Sequence, residues 1–162
     1  SGNRIKCDPA LNDLLVANTN QYAPSRYRLK RDADGVNEAV DLMQRSSGLL
    51  FSTFVGQGAW FRHVCVIEDM KFDPEQIFDH YLCCARDLPR DERRGDGSYF
   101  AWTDQPTELN SDMHRGYAVP DGWDEWHFTR GSTVTVSLDG PKLNLLTFRT
   151  PIVEKLAHWL DS

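Results

Sequence analysis

The chain lacks the residue spacings that mark a metal or a cofactor. Its five histidines, His63, His80, His114, His127 and His158, are scattered, and no HxH, HExxH or carboxylate cluster at ligand spacing accompanies them. The four cysteines, Cys7, Cys65, Cys83 and Cys84, form neither a CxxC nor a CxxH pair, which argues against a zinc knuckle. They fit none of the usual disulfide frameworks either, so no structural disulfide is expected. Gly56-Gln57-Gly58 and Gly95-Asp96-Gly97 lack the lysine and the following helix of a phosphate loop. The expectation is therefore no cofactor and no metal. No apolar run approaches the roughly 20 residues needed to span a bilayer. Positive charge is short as well: 18 basic against 24 acidic residues, net −6. That excludes the basic footprint of a general nucleic-acid binder and a polybasic membrane anchor.

What is present is ordinary globular composition, with 40% hydrophobic and 26% charged residues. The 162 residues suit one domain, 1–162, able to fold without a covalent staple. Ser1-Gly2-Asn3 has neither a charged nor an apolar leader region. Cysteine usage suggests the cytoplasm or another reducing compartment. Ser1-Gly2 resembles a cloning scar, so a native targeting segment could be missing.

Helical spacing of Leu11, Leu14 and Leu15 behind Asp8-Pro9 predicts a first helix. Ser25 to Lys30 alternates as a short strand. Val36, Val40 and Met43 predict a second helix from Asp34 or Gly35 to Arg45, stopped by Gly48. Strands follow at Leu49–Val55 and Trp60–Glu68, the latter apolar on both faces. Asp73-Pro74-Glu75-Gln76 is close to a capping box, and Ile77, Tyr81, Cys84 and Leu88 form the stripe of a third helix. Residues 86–97 and 104–122 read as loops, mobile or marking a hinge. Strands are predicted at Tyr99–Trp102, at Glu125–Thr129, over Val134, Val136 and Leu138, and at Leu143–Phe148. A last helix follows Thr150-Pro151. The fold class expected is α+β: a mainly antiparallel or mixed sheet of six to seven strands with about four helices packed on it.

Two short motifs resemble catalytic families. His127-Phe128-Thr129 resembles the His-x-Thr half-motif of the two-histidine phosphoesterases. His63-Val64-Cys65 stands as the other half, with cysteine in place of the hydroxyl residue. The resemblance implies a small phosphodiesterase or nucleotide-acting enzyme with His63 and His127 as acid and base and Thr129 holding phosphate. Tyr27-Arg28 with Phe51-Ser52-Thr53 resembles the opening of the arginine-serine-glutamate ADP-ribosyltransferases. That implies Arg28 and Ser52 side by side in a cleft, although the Glu-x-Glu or Gln-x-Glu pair of that family does not occur in this chain. On the predicted third helix, His80 and Cys84 would lie one turn apart, late in the helix where the dipole disfavours a thiolate.

Residues 121–126, Asp-Gly-Trp-Asp-Glu-Trp, set two tryptophans among three acids. Residues 98–162 hold 9 acidic against 5 basic residues, so the acidity is concentrated around this stretch. Aromatics are enriched in binding hot spots, and surrounding acids steer a basic partner. With no complete catalytic set in view, the leading expectation is a non-enzymatic protein-binding module of antagonist, inhibitor or immunity type. It would dock a basic protein through Trp123, Asp124, Glu125 and Trp126, with Tyr117 and Trp102 nearby. No nucleic acid and no membrane are expected as partners.

Overall fold

The structure is a computed structural model and describes residues 4–56 and 75–144. Ten strands run along the described residues: β1 (Asp13–Asn18), β2 (Ser25–Arg31), β3 (Val40–Ser46), β4 (Leu49–Thr53), β5 (Tyr81–Ala85), β6 (Phe100–Thr103), β7 (Thr107–Ser111), β8 (Arg115–Pro120), β9 (Trp126–Thr129) and β10 (Thr133–Val136). The helical content among them is one turn of 3-10 helix, Arg90–Glu92. Two antiparallel sheets form, a six-stranded one in the order β6-β5-β4-β1-β8-β9 and a four-stranded one in the order β10-β7-β2-β3. This overturns the α+β expectation with about four helices. The protein is almost entirely β over the described residues.

The sheets pack face to face. Tyr27, Leu29, Val40 and Leu109 of the smaller sheet meet Val16, Leu49, Phe51, Tyr81, Cys83 and Ala118 of the larger. The far face of the larger sheet carries a second cluster, with Leu15, Ala17, Leu50, Leu82 and Cys84 under Phe54, Ile77 and Trp102. The central strands of this sheet are therefore covered on both sides. A strand buried on both faces shows a continuous apolar run instead of alternation.

That burial accounts for the helix predictions that fail. Leu14-Leu15-Val16-Ala17 lies in β1, contributing alternately to the two cores, while Leu11 of the supposed stripe is 53% exposed. Tyr81-Leu82-Cys83-Cys84-Ala85 is buried throughout as β5, although Ile77, Tyr81, Cys84 and Leu88 also satisfy helical spacing. Val40 to Ser46 has strand period, with Val40, Gln44 and Ser46 buried. The helical reading took Val36 and Met43 as core, and they are 82% and 61% exposed. The true inward positions are polar because Gln44 and Ser46 have partners in the core. The segment 104–122, expected as a loop, contains β7 and β8. Its inward Thr107, Leu109 and Ser111 alternate with Glu108 and Asn110.

The strands expected at Ser25–Lys30, Leu49–Val55, Tyr99–Trp102, Glu125–Thr129 and Val134–Leu138 are present, with β4 ending at Thr53, β9 starting at Trp126 and β10 ending at Val136. Expectations for Trp60–Glu68, for most of Leu143–Phe148 and for the last helix fall outside the described residues. Cys84 is disulfide-bonded, whereas Cys7 and Cys83 are free. The expectation of no structural disulfide is corrected accordingly.

Two connections cross between the sheets at the same end of the sandwich. One is the loop between β1 and β2, and the other is the corner between β3 and β4. At that corner Gly48 has φ +114°, and a Cβ there would lie 2.7 Å from both the Val16 carbonyl oxygen and the Ala17 Cβ. Only glycine lets the corner lie so close to β1. The Ser47 N–H donates to the Arg86 carbonyl and the Arg86 N–H to that of Gly48, at 2.9 and 2.8 Å. The corner is thus tied to the segment that follows β5.

Candidate functional site

These connections surround a cleft of about 690 Å³. Its lining includes Leu15, Ala17 and Tyr117 from the outer face of the larger sheet, with Ala17 directly opposite Tyr117 in register. Asn18, Asn20 and Tyr22 contribute from the first crossing, and Arg45, Ser47, Arg86 and Asp87 from the second side. The site therefore combines an aliphatic and aromatic floor with a rim of guanidinium, amide and hydroxyl groups. Ligand pockets commonly have this composition.

The β1–β2 loop is held by its own polar groups. The Asn20 N–H donates to Asn18 Oδ1 at 2.9 Å, and the Tyr22 N–H donates to Asn20 Oδ1 at 3.0 Å. These are successive Asx turns. At the other end, the Asn18 N–H donates to Ser25 Oγ at 2.9 Å. The loop thereby presents Tyr22 fully to solvent at the cleft. Arg45 is exposed and belongs to no ion pair among the described residues. Among the described residues the charged groups of this rim are Arg45, Arg86 and Asp87.

The residues expected to bind are dispersed. Trp123 projects into solvent at 79% exposure, beside exposed Asp124 and Glu125. Trp126 turns the other way and packs on the inter-sheet core. Trp102 is 6% exposed, edge-on to Phe54 and stacked on His80 at 5.4 Å, so it offers no surface. Tyr117 does line the cleft. In β9 it faces His127, its direct cross-strand partner. His127 is exposed, its Nε2 3.1 Å from Glu125 Oε2, and Thr129 is exposed at the end of β9. His63 lies outside the described residues.

Arg28 and Ser52 do not meet. Arg28 lies on the outer face of the smaller sheet, with its Nε 2.5 Å from Asp41 Oδ1. Ser52 is buried in the larger sheet, where its hydroxyl donates to the Asn12 carbonyl at 3.2 Å. His80 and Cys84 do not share a helix face, because they precede and occupy a strand. Among the described residues no group of three or more histidine, cysteine or acidic side chains could hold a metal. No helix among them is long and apolar enough to cross a membrane.

Sequence reading passed over Arg45, Arg86, Asn18, Asn20 and Tyr22. The available signal was the run Asn18-Thr19-Asn20-Gln21-Tyr22-Ala23-Pro24, where turn-forming amides flank an aromatic residue. By itself this run indicates only a break between elements.

No protein-family model and no curated protein matches the chain. Solved structures do. The fold is similar to that of an NAD kinase from Archaeoglobus fulgidus in complex with ATP, with a TM-score of 0.54, 16% identity, and coverage of 79% of this chain and 45% of that one. It is likewise similar to yeast NADH kinase complexed with NADH, with a TM-score of 0.57, 13% identity, and coverage of 79% of this chain and 34% of that one. At these identities the likeness is one of fold, and the chain spans less than half the length of either kinase. The finding nonetheless removes the leading expectation of a non-enzymatic protein-binding module. The matched folds belong to nucleotide-handling enzymes, and the acidic tryptophan stretch does not present its aromatics together.

Proposed function

We propose that this β-domain binds a nucleotide of the nicotinamide or adenine type in the cleft beside the β1–β2 loop. The observation that carries the reading is the pairing of an aromatic and aliphatic floor, with Tyr117 beside Leu15 and Ala17, and a rim bearing Arg45, which has no ion-pair partner among the described residues. A base needs a flat apolar partner, and a phosphate needs guanidinium and hydroxyl donors. The fold shared with an NAD kinase holding ATP and an NADH kinase holding NADH supports the same ligand class. The enzymatic reading that goes with it is phosphoryl transfer involving a nicotinamide dinucleotide, proposed for the protein as a whole. A disulfide at Cys84 suits an oxidising compartment better than the reducing one first expected.

Fluorescence titration with NADH and calorimetry with NAD and ATP test the proposal. Saturable binding is expected, and Tyr117→Ala should weaken it by about 1–3 kcal/mol, the usual contribution of one base–aromatic stack. The proposal fails if none of the three ligands saturates up to about 5 mM, which is weaker than roughly −3 kcal/mol.

A further inference from the structure

The outer face of the smaller sheet carries Arg26, Arg28 and Lys30 from β2 and Asp41, Met43 and Arg45 from β3. Its charges are matched except at one place. Arg28 is held by Asp41 through two hydrogen bonds, and Lys30 stands opposite Asp41 on one side and Glu108 on the other. Arg26, by contrast, stands directly opposite Arg45. Residues in that relation share a face with Cβ atoms about 5 Å apart, and like charges so placed repel. Neither arginine has an ion-pair partner among the described residues. On the β7 side Asp112 adjoins Arg26, its N–H donating to the Arg26 carbonyl at 3.0 Å. Its carboxylate is taken by Arg130, at 3.1 Å from Nε.

The two arginines also link two concavities. Arg45 lines the large cleft, while Arg26 lines a smaller one of about 180 Å³ with Asp112, Met113, His114 and Arg130. Asn18, Ala23 and Pro24 line both, so the β1–β2 loop is their shared wall.

We propose that Arg26 and Arg45 together form a phosphate-binding site between these concavities. A phosphate or pyrophosphate group placed between the guanidiniums accepts charge-assisted hydrogen bonds from both and relieves their repulsion. The site deepens the nucleotide reading by assigning the cleft a phosphorylated ligand. It does not require that reading, because Arg26 lies outside the large cleft.

The test uses pyrophosphate alone, without a base, in thermal unfolding of the full chain at low ionic strength, with sulfate as the control for general salt effects. Pyrophosphate should raise the Tm saturably. Arg26→Gln and Arg45→Gln should each weaken its apparent affinity about ten-fold, whereas Arg28→Gln should leave it unchanged. In phosphate-free buffer Arg26→Gln should melt at or above the wild type, and Arg26→Lys should keep part of the binding. An equal response to pyrophosphate in wild type, Arg26→Gln and Arg45→Gln overturns the site, as does a response that sulfate reproduces. If pyrophosphate binds through the pair while NADH, NAD and ATP do not bind, the nucleotide reading falls and this site stands. If NADH binds and Arg26→Gln changes neither NADH nor pyrophosphate affinity, the reverse holds.

Discussion

Tyr27 and Gln44 are direct cross-strand partners in the smaller sheet, and the tyrosine hydroxyl donates to Gln44 Oε1 at 2.8 Å inside the core. Tyr27 is fully buried, and its oxygen also lies 2.8 Å from Ser46 Oγ. The Gln44 Nε2 group in turn donates to the Ser98 carbonyl at 3.1 Å. One hydroxyl therefore links two polar side chains that point between the sheets.

Tyr27→Phe should destabilise the protein by about 1–3 kcal/mol, because it strands buried acceptors while removing almost no volume. Urea unfolding followed by intrinsic fluorescence measures this. Tyr27→Phe combined with Gln44→Met should cost less than the sum of the two single changes, since Gln44→Met removes the acceptor that Tyr27→Phe alone would strand. Strict additivity would show that the contact carries no coupling.

The same pair shows why part of the fold was legible in the sequence and part was not. Ser25–Arg31 alternates inward Tyr27 and Leu29 with outward Arg26 and Arg28, so its period is visible to inspection. In β3 the inward residues include Gln44 and Ser46, whose burial depends on partners elsewhere in the chain, and polarity alone assigns them to the surface. Through β5 and the Leu14–Ala17 stretch of β1 every position is apolar because both faces are covered, and a filled pattern matches helix and strand equally well. The cleft was less legible still. Its rim is assembled from Asn18–Tyr22, Arg45–Ser47 and Arg86–Asp87, three segments brought together by crossings between sheets that spacing along the chain does not encode. Of its lining, Tyr117 alone belongs to the binding residues that the sequence suggests, and there for a different surface.

Cys83 makes stability depend on alkaline pH. Its thiol is buried in the inter-sheet core, and burial pushes its pKa up from 9.0 to about 11 even though nearby Arg31 pulls the other way. The unfolded chain releases this proton near pH 9, whereas the folded chain holds it to about pH 11. The contribution to stability is thus fully present below pH 9 and is lost as pH rises through that window, on the order of 2 kcal/mol in total. Tyr27 and Tyr81, both also raised by burial, extend the loss above pH 10. Unfolding free energies measured at pH 8 and pH 10.5 should fall for the wild type, and fall by less in Cys83→Ala. An identical pH dependence in the two proteins would rule out the thiol as a source.

Asp121 fastens the start of β1 to the end of β8. Its Oδ2 accepts the Leu11 N–H at 2.6 Å, and its Oδ1 accepts the N–H groups of Asn12 and Asp13 at 2.7 and 3.0 Å. The Asp13 carboxyl stands nearby with its pKa raised, first by burial and second by the Asp121 charge. A raised carboxylate contributes stability below its unfolded pKa and loses it as pH rises, so at neutral pH this pair opposes folding while the three amide contacts favour it. Asp121→Asn separates these effects. One acceptor oxygen is lost and an amide group faces a backbone N–H, which should speed hydrogen exchange at Leu11 to Asp13 and cost about 1–2 kcal/mol at pH 7. The Asp13 pKa, followed by carboxyl NMR, should move down toward 3.8 without reaching it, because burial, the larger cause, remains. If the Asp13 pKa stayed where it is in the wild type, the charge of Asp121 would have no part in raising it.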